Sequence, residues 1–336
     1  MSERAAAVLD HVPAGWDALL AADPSATPAH RPILWEAFAA ALPGFSWRVL
    51  VHEADGRLSG GAPLVRTQRG PWRELHAMPW MLPGAPRALP GEHARVDASI
   101  ARSFAAFAAR EQVTGGTWAL YRPEGPAPEA VAFEGLGGTV REVETALLPL
   151  GAGLEARRAH MARKQRQALD QALALPYAFA EEPAALDEAY ALHLAQSRHW
   201  SAHRPLPIEL SRRLLQASDA QGPVAHLYTL RSAAGLASAT FTLEGAHETV
   251  LWWAGTHPRA RRSSAFLRLV WEIALRAQAQ GRRRLNLGAS LGLPFVAAFK
   301  QSLGADGFHY PVRVLDARHA PAWMRVLARL KRGGLA

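Results

Sequence analysis

The sequence predicts an α/β chain of two successive halves, each a mixed sheet flanked by helices. Three observations carry this. The chain has 336 residues, more than the roughly 250–300 over which a single core usually grows. Ala54-Asp55-Gly56 lies between two apolar runs, and Asp-Gly in that position signals a tight hairpin. Further on, three strand-like runs in quick succession precede a long helix, a strand, a short helix and a last strand, the order of a mixed sheet with helices packed on it.

In the first half, Ile33 to Leu42 reads as a helix with Leu34, Phe38 and Leu42 four apart, stopped by Pro43-Gly44. The hairpin spans Trp47 to Arg69. The segment WRELHAMPWMLPGAP is a strand running into a Pro/Gly-rich loop. Residues 93–110 suit an amphipathic helix with Val96, Ile100, Phe104 and Phe107 on one side. Apolar runs follow at Gly116–Tyr121 and Val143–Leu150. Gly151-Ala152-Gly153 marks a boundary, so the expected domains are 1–150 and 151–318.

The second half opens with LEARRAHMARKQRQALDQALAL, read as one helix ended by Pro176. A helix near Ala184–Ser197 and another over about 208–219 come next. The strands VAHLYTL, GLASATFTL and TVLWWAG lead into the segment Arg262–Gln280, read as the longest helix of the chain. Phe266, Val270, Ile273 and Ala277 form its core stripe, with Arg268, Glu272 and Arg276 opposite. Gly281 stops it. The strand LNLG, a short helix over Leu293–Ser302 and the strand YPVRVL complete the domain. Residues 319–336 form a basic amphipathic tail in which Trp323, Val326, Leu327 and Leu330 oppose Arg325, Arg329, Lys331 and Arg332.

Composition narrows the chemistry. Hydrophobic residues make up 49% and charged residues 20%, which fits a globular protein. There is no cysteine, which excludes disulfides, thiolate catalysis and Cys-ligated zinc. The segment MSERAAAVLDHVPAGW has no long apolar run of the secretory kind, and no stretch approaches the roughly 20 apolar residues of a membrane span. The expectation is a soluble, cytoplasmic protein. The net charge of +9 favours polyanionic partners, although Arg-rich codon usage also raises the total. His193, His199 and His203 are spaced by six and four across a Pro-bearing loop, and His247-Glu248 lacks a second His, so no metal site is expected. Gly288-Ala289-Ser290 is not a nucleophile elbow.

Several residue groups suit anion binding or acyl chemistry. The loop Arg259–Ala265 precedes the long helix. A helix N-terminus offers free amides and a positive dipole end. Arg261 and Arg262 add charge, while Ser263, Ser264 and Ala265 keep the approach open. The plainer alternative is a serine cap on a basic loop. Lys300 follows the apolar run PFVAAF. There it is either buried and in need of a partner or snorkelling to solvent. Arg157, Arg158, Arg163, Lys164 and Arg166 point all round their helix, so phosphates of CoA, a nucleotide-linked sugar or RNA are candidates for them, against a simple solvated helix. Trp252 and Trp253 point to opposite faces of a strand, so one of them belongs to the core. His257 suits a general base near neutral pH, though a lone His after a strand is more often structural. Glu244 and Glu248, at a hairpin turn where solvated carboxylates are common, are its rivals. The tail could rest on an anionic membrane surface or dock on the protein body.

The stretch RSSAFLRLVWEIALRAQAQGRRRLNLGASLGLPFVAAFKQSLGADGFHYPVRVL resembles the C-terminal signature of Fem-type aminoacyltransferases and related cellulose-biosynthesis-type acetyltransferases of the GNAT superfamily. The matching features are Ser263-Ser264-Ala265, Trp271, Gly281, Leu285–Gly288, Phe299-Lys300 and Leu303-Gly304. MARKQRQALDQAL is similar to the Lys/Arg-rich helix that opens the second Fem-type domain, and RLSGGAPLVRTQRGPWRELHAMPWMLPGAP to the first-domain hairpin and loop. Together they cover about residues 33–316. The chain departs from ordinary GNAT proteins in its phosphate loop, where RARRSSAFL has serines in place of glycines.

The resemblance implies tandem GNAT-like domains with the donor site in 151–318. It implies N-acyl transfer from acyl-CoA to an amine acceptor, a small molecule or a lipid- or sugar-linked cell-envelope precursor. An aminoacyl-tRNA-dependent peptidoglycan transferase and a non-catalytic binding module are the alternatives. Donor phosphates would sit on Arg261, Arg262 and the Ser263–Ala265 backbone, and the acyl group along the strand of Trp253. Lys300 would reach the active site beside Phe299, with His257 or Glu244 relaying a proton. Arg163, Lys164 and Arg166 would meet substrate phosphates. No metal is implied. The tail would bring the protein peripherally to the inner membrane.

Overall fold

The computed structural model describes residues 6–80, 82–128, 130–133, 135–151, 153–198, 200, 205–290 and 293–326. The chain divides into two compact units, residues 1–143 with 309–336, and residues 144–308.

The first unit begins with β1 (Ala7–Leu9), α1 (Trp16–Ala22) and α2 (Pro32–Ala41). Strands β2 (Phe45–Ala54) and β3 (Arg57–Arg69) form the expected hairpin. Asp55 and Gly56 both take positive φ, 51° and 74°, the backbone that a two-residue hairpin turn demands. Strand β4 (Trp72–His76), the short β5 (Arg87–Ala88), helix α3 (His93–Arg110) and β6 (Gly115–Ala119) follow. The sheet runs β1-β2-β3-β4-β6, with β5 beside β3. All its neighbours are antiparallel except β4 and β6, which pair parallel over Glu74–His76 and Gly115–Thr117. Val96, Ile100, Phe104 and Phe107 of α3 are buried with Leu64, Leu75 and Trp118 in the core of this unit.

The second unit contains β7 (Thr139–Pro149) from residue 144 on, then α4 (Leu154–His160) and α5 (Arg163–Ala174). The single long helix expected here is thus two. Met161 and Ala162 are extended, with ψ near 146° and 138°. Met161 is buried in the core, and Arg166 Nη1 donates to the carbonyls of Ala159 and Met161, at 2.8 and 2.9 Å. One basic side chain therefore closes α4 instead of extending it.

After β8 (Ala178–Glu181) come α6 (Leu186–Ser197), α7 (Ile208–Gln216) and the small β9 (Ser218–Asp219) and β10 (Gly222–Pro223). Strands β11 (Ala225–Ser232), β12 (Gly235–Glu244) and β13 (Glu248–Thr256) form an antiparallel meander. Helix α8 (Ala265–Ala279), β14 (Arg284–Asn286) and α9 (Pro294–Ser302) complete the unit, and β15 (Asp306–Leu315) follows. Helix α8 starts three residues later than expected, and its 15 residues are fewer than the 18 of α3, the longest helix among the described residues. The sheet order is β7-β14-β13-β12-β11-β8. β13 and β14 are parallel, and the other neighbours are antiparallel. Residues Val312–Leu315 of β15 pair antiparallel with Gly116–Ala119 of β6, in the first unit.

Each face of the second sheet has its own helices. Tyr228, Leu230 and Ala237 are buried with the inner stripe of α8. On the opposite face α6 and α7 pack over β11, β12 and β13. Alternation along the strands sends Phe241 and its partner Trp253 to the α6 side. Both faces are covered, so these strands read as nearly continuous buried runs.

Candidate active site

The central feature of the second unit is where β13 loses its neighbour. β13 pairs with β14 only through Glu248–Arg284, Thr249–Leu285 and Val250–Asn286. β14 then ends, while β13 runs on to Thr256. A bulge between Phe241 and Thr242 of β12 places Trp252 as the extra residue of β13, and a bulge bends and twists its strand. Leu251 to Ala254 are half-buried, although they continue a fully buried strand.

Helix α6 closes one side of this free edge. His193 Nδ1 lies 3.0 Å from the Ala254 carbonyl, and Gln196 Oε1 accepts the Thr256 amide at 3.0 Å. A Cβ on Gly255 would lie 2.6 Å from the backbone nitrogen of His193, so glycine is what lets α6 approach. The sequence offers His193 only as a metal ligand, and no local pattern points to its contact with β13. His199 and His203 lie outside the described residues. Among the described residues no group of three or more His, Cys, Asp or Glu could hold a metal.

Trp253 stacks on Phe241 at 5.1 Å, lies 5.2 Å from the His193 ring and 5.8 Å from Tyr190, and donates to Ser211 Oγ at 3.3 Å. It belongs to an aromatic cluster under α6 and α7, on the sheet face away from α8.

The loop after β13 prepares the start of α8. His257 Nδ1 accepts the Arg259 amide at 3.3 Å and caps a short turn over Pro258–Ala260. Arg261 and Arg262 are exposed. Ser263 Oγ donates to the Ala260 carbonyl at 2.8 Å and meets the Tyr177 hydroxyl at 2.5 Å. Ser264 takes a left-handed φ of 56°, and no side chain caps α8. The plain serine cap is therefore not what is built: the first amides of α8 have no capping side chain. Arg268 holds the preceding segment, donating to the carbonyls of Ala172, Leu175 and Tyr177 at 2.7–3.0 Å.

Lys300 lies on α9 and is 7% exposed, so it does not snorkel. Its Nζ donates to the carbonyls of Gly288 and Ala289, at 2.7 and 3.0 Å. Desolvation pushes this ammonium down to about 8, with Glu144 acting in the opposite direction. Lys300 thereby fixes the segment that leaves β14, the wall facing the free edge of β13. Phe299 stacks on Phe266 of the first turn of α8, at 5.9 Å, which ties α9 to the helix start.

Other candidates are spent on structure. Glu244 is 1% exposed. Its carboxylate accepts the hydroxyls of Thr242 and Thr249 at 2.8 and 2.6 Å and lies 3.7 Å from Arg282 Nε. Glu248 is 0% exposed and accepts from Arg284 and Asn286 at 2.5 and 3.1 Å. Neither is the solvated hairpin carboxylate expected, and Glu244 is too enclosed to relay a proton. Arg166 is committed to the end of α4, whereas Arg163 and Lys164 are exposed at the start of α5. Of the tail, Leu327 to Ala336 lie outside the described residues, so the expected amphipathic face is described only through Trp323 and Val326, both exposed.

A parallel strand pair that parts beside an uncapped helix start can receive a ligand on strand edge and helix amides together. Residues 155–301 match the family profile described as acetyltransferase (GNAT) domain. That stretch, most of the second unit, is similar to a GNAT domain. FemX is similar in structure to this chain, with a TM-score of 0.70 and 11% identity, over 91% of this chain and 96% of that one. The C-terminal domain of a putative lysylphosphatidylglycerol synthetase from Agrobacterium fabrum gives a TM-score of 0.55 at 14% identity, covering 95% and 94%. A tandem GNAT protein from the clavulanic acid biosynthesis pathway gives 0.53 at 16%, covering 94% and 99%. At these identities the likeness is one of fold. Among curated protein sequences nothing matches.

Proposed function

We propose that this chain is an N-acyltransferase that moves an acyl group from acyl-CoA to an amine, with its reaction in the second unit. The observation that carries the reading is the parting of β13 from β14 after Val250, beside an α8 start that no side chain caps. A thioester donor would lay its acyl arm along the free edge of β13 and its pyrophosphate on the α8 amides, flanked by Arg261 and Arg262. The N–H and C=O of one strand residue point to the same edge, so the Ala254 amide is the natural donor to the acyl oxygen. His193 orients that residue through its carbonyl.

The reaction is a direct displacement. The neutral amine forms a bond to the acyl carbon, the C–S bond breaks, and the thiolate takes the proton that the amine loses, directly or through water. Positioning and stabilisation of the developing oxyanion supply the rate, and no covalent enzyme intermediate is required. Lys300 acts by holding Gly288 and Ala289. His257, at the loop beside the site, is the proposed proton relay. Arg163 and Lys164 are proposed to meet acceptor or donor phosphates.

An aminoacyl-tRNA donor is the second reading. It is favoured by the serines in the phosphate loop and by the full-length likeness to FemX. The acceptor would then be a cell-envelope precursor, and the chain would work at the inner face of the membrane. No helix among the described residues is long and apolar enough to cross a membrane.

Titration calorimetry with acetyl-CoA and with charged tRNA separates the two donors. Binding of acetyl-CoA that weakens in an Arg261→Ala/Arg262→Ala variant supports the first reading. Binding of charged tRNA alone moves the assignment to the second. Binding of neither donor ends both.

A further inference from the structure

The first unit contains a cavity of about 430 Å³, within the range of small-molecule pockets. It opens at the N-terminus of α3 and is walled by the end of α1 and by residues 122–127. Its charged groups are of both signs. Asp97 and Arg122 face each other at 2.8 Å with side chains 2% exposed. Arg122 uses Nη2 on Asp97 and Nη1 on the Pro126 carbonyl, while its Nε, also buried, has no partner among the described residues. The start of α3 carries no capping side chain, so its first amides add positive partial charge. His93 lies one turn before Asp97, and burial together with Arg122 holds it below its ordinary range. Burial pushes the Asp97 carboxyl up against the pull of Arg122. The remaining wall holds Ala22, Pro24, Ala88, Pro90 and Ala127 together with two more acidic residues, the half-buried Glu124 and Asp23, whose carboxylate accepts the Ser25 and Ala88 amides at 2.8 and 3.3 Å and lies 3.7 Å from Arg87.

We infer that this cavity binds a small zwitterion, an α-amino acid or a short peptide carrying both a carboxylate and an ammonium group. The carboxylate meets the α3 amides and the unused Nε of Arg122, and the ammonium meets Asp97. An apolar side chain covers the Ala and Pro wall. A simple anion would leave Asp97 without a counter-charge beyond Arg122, and a simple cation would leave Arg122 Nε and the helix amides unmatched. This inference does not depend on the transferase reading.

Calorimetry on the full chain tests it, with leucine and alanylalanine as probes. N-acetylleucine, which lacks the ammonium, and leucinamide, which lacks the carboxylate, are the controls. Both zwitterions are expected to bind, with both controls at least about tenfold weaker. Asp97→Asn is expected to weaken the zwitterions by a similar factor. Since Asp97 is buried and that variant could misfold, Ala94→Trp provides the second arm. Ala94 is exposed on α3 and lines the cavity, so the indole fills the pocket while circular dichroism and the melting temperature hold. The inference is overturned if neither zwitterion gives heat, if the controls bind as well as the zwitterions, or if folded Ala94→Trp binds them unchanged.

Discussion

Both units contain one parallel strand pair followed by a helix, and they treat it in opposite ways. In the first, β4 and β6 stay together: the Ala77 amide still donates to the Thr117 carbonyl at 3.0 Å, past the end of β4. Gly116 has φ 144°, and a Cβ there would sit 1.8 Å from the Leu75 carbonyl oxygen, so the strands touch. Residues 77–92 then intervene before α3, and Gly84 among them is tightly packed. A Cβ on Gly84 would meet the Ala77 carbonyl and Pro63 at 2.7 Å. In the second unit only residues 257–264 separate β13 from α8, and the strands part after three pairs. The same topology gives a closed seam where a long loop fills the gap and an open edge where a short one cannot. The open edge is where we propose the chemistry, while the closed seam leaves its unit a separate cavity at the helix start.

The largest effects should come from the glycines that set these two seams. Gly116→Ala combines a disfavoured φ with a backbone clash and is expected to cost about 3–5 kcal/mol by denaturant unfolding, with donor affinity unchanged per folded molecule. Gly255→Val drives α6 away from β13, costs about 3 kcal/mol and abolishes turnover. If Gly255→Val kept full activity, the α6-braced edge of β13 would not be the acyl site.

Lys300→Met comes next. It frees the 288–289 wall and is expected to lower kcat about 100-fold, a loss of about 3 kcal/mol in the transition state. It should also change how stability depends on pH. Below pH 8 the buried ammonium is a net cost to the fold. Between its folded value of about 8 and its ordinary 10.5, the folded protein binds fewer protons than the unfolded chain. Stability therefore rises with pH across that window and levels off above it. Chemical denaturation from pH 7.5 to 11 should show this rise in the wild type and a flatter line in the variant.

Smaller again is Arg261→Ala/Arg262→Ala, expected to raise the donor KM about tenfold, with less sensitivity to salt. Ser263→Ala removes two local hydrogen bonds and should cost about 1 kcal/mol of stability, with at most about a threefold change in donor KM.

Features set by neighbours in the chain were legible. Asp55-Gly56 announced its turn because the positive φ it needs is a local demand. The core stripe of α3 followed from its period, and the meander β11-β12-β13 from its three apolar runs. The break between α4 and α5 was not visible, because it depends on Met161 entering the core and on Arg166 reaching back to α4. Glu244 and Glu248 read as solvated because the sequence does not show that Arg282 and Arg284 lie beside them. His193 was missed as a partner of β13, since its separation of 61 positions from Ala254 is closed only by packing.

The sequence by itself determined most of the strands and helices and their order, and the Arg-Arg-Ser-Ser loop ahead of α8, because periodicity, turn residues and cap chemistry act over a few residues. Only the tertiary structure decided which parallel pair parts, that Lys300 points inward onto two carbonyls, and that Val312–Leu315 of β15 joins β6. Those outcomes depend on burial and on hydrogen-bond partners far apart in the chain, and local pattern holds no record of either.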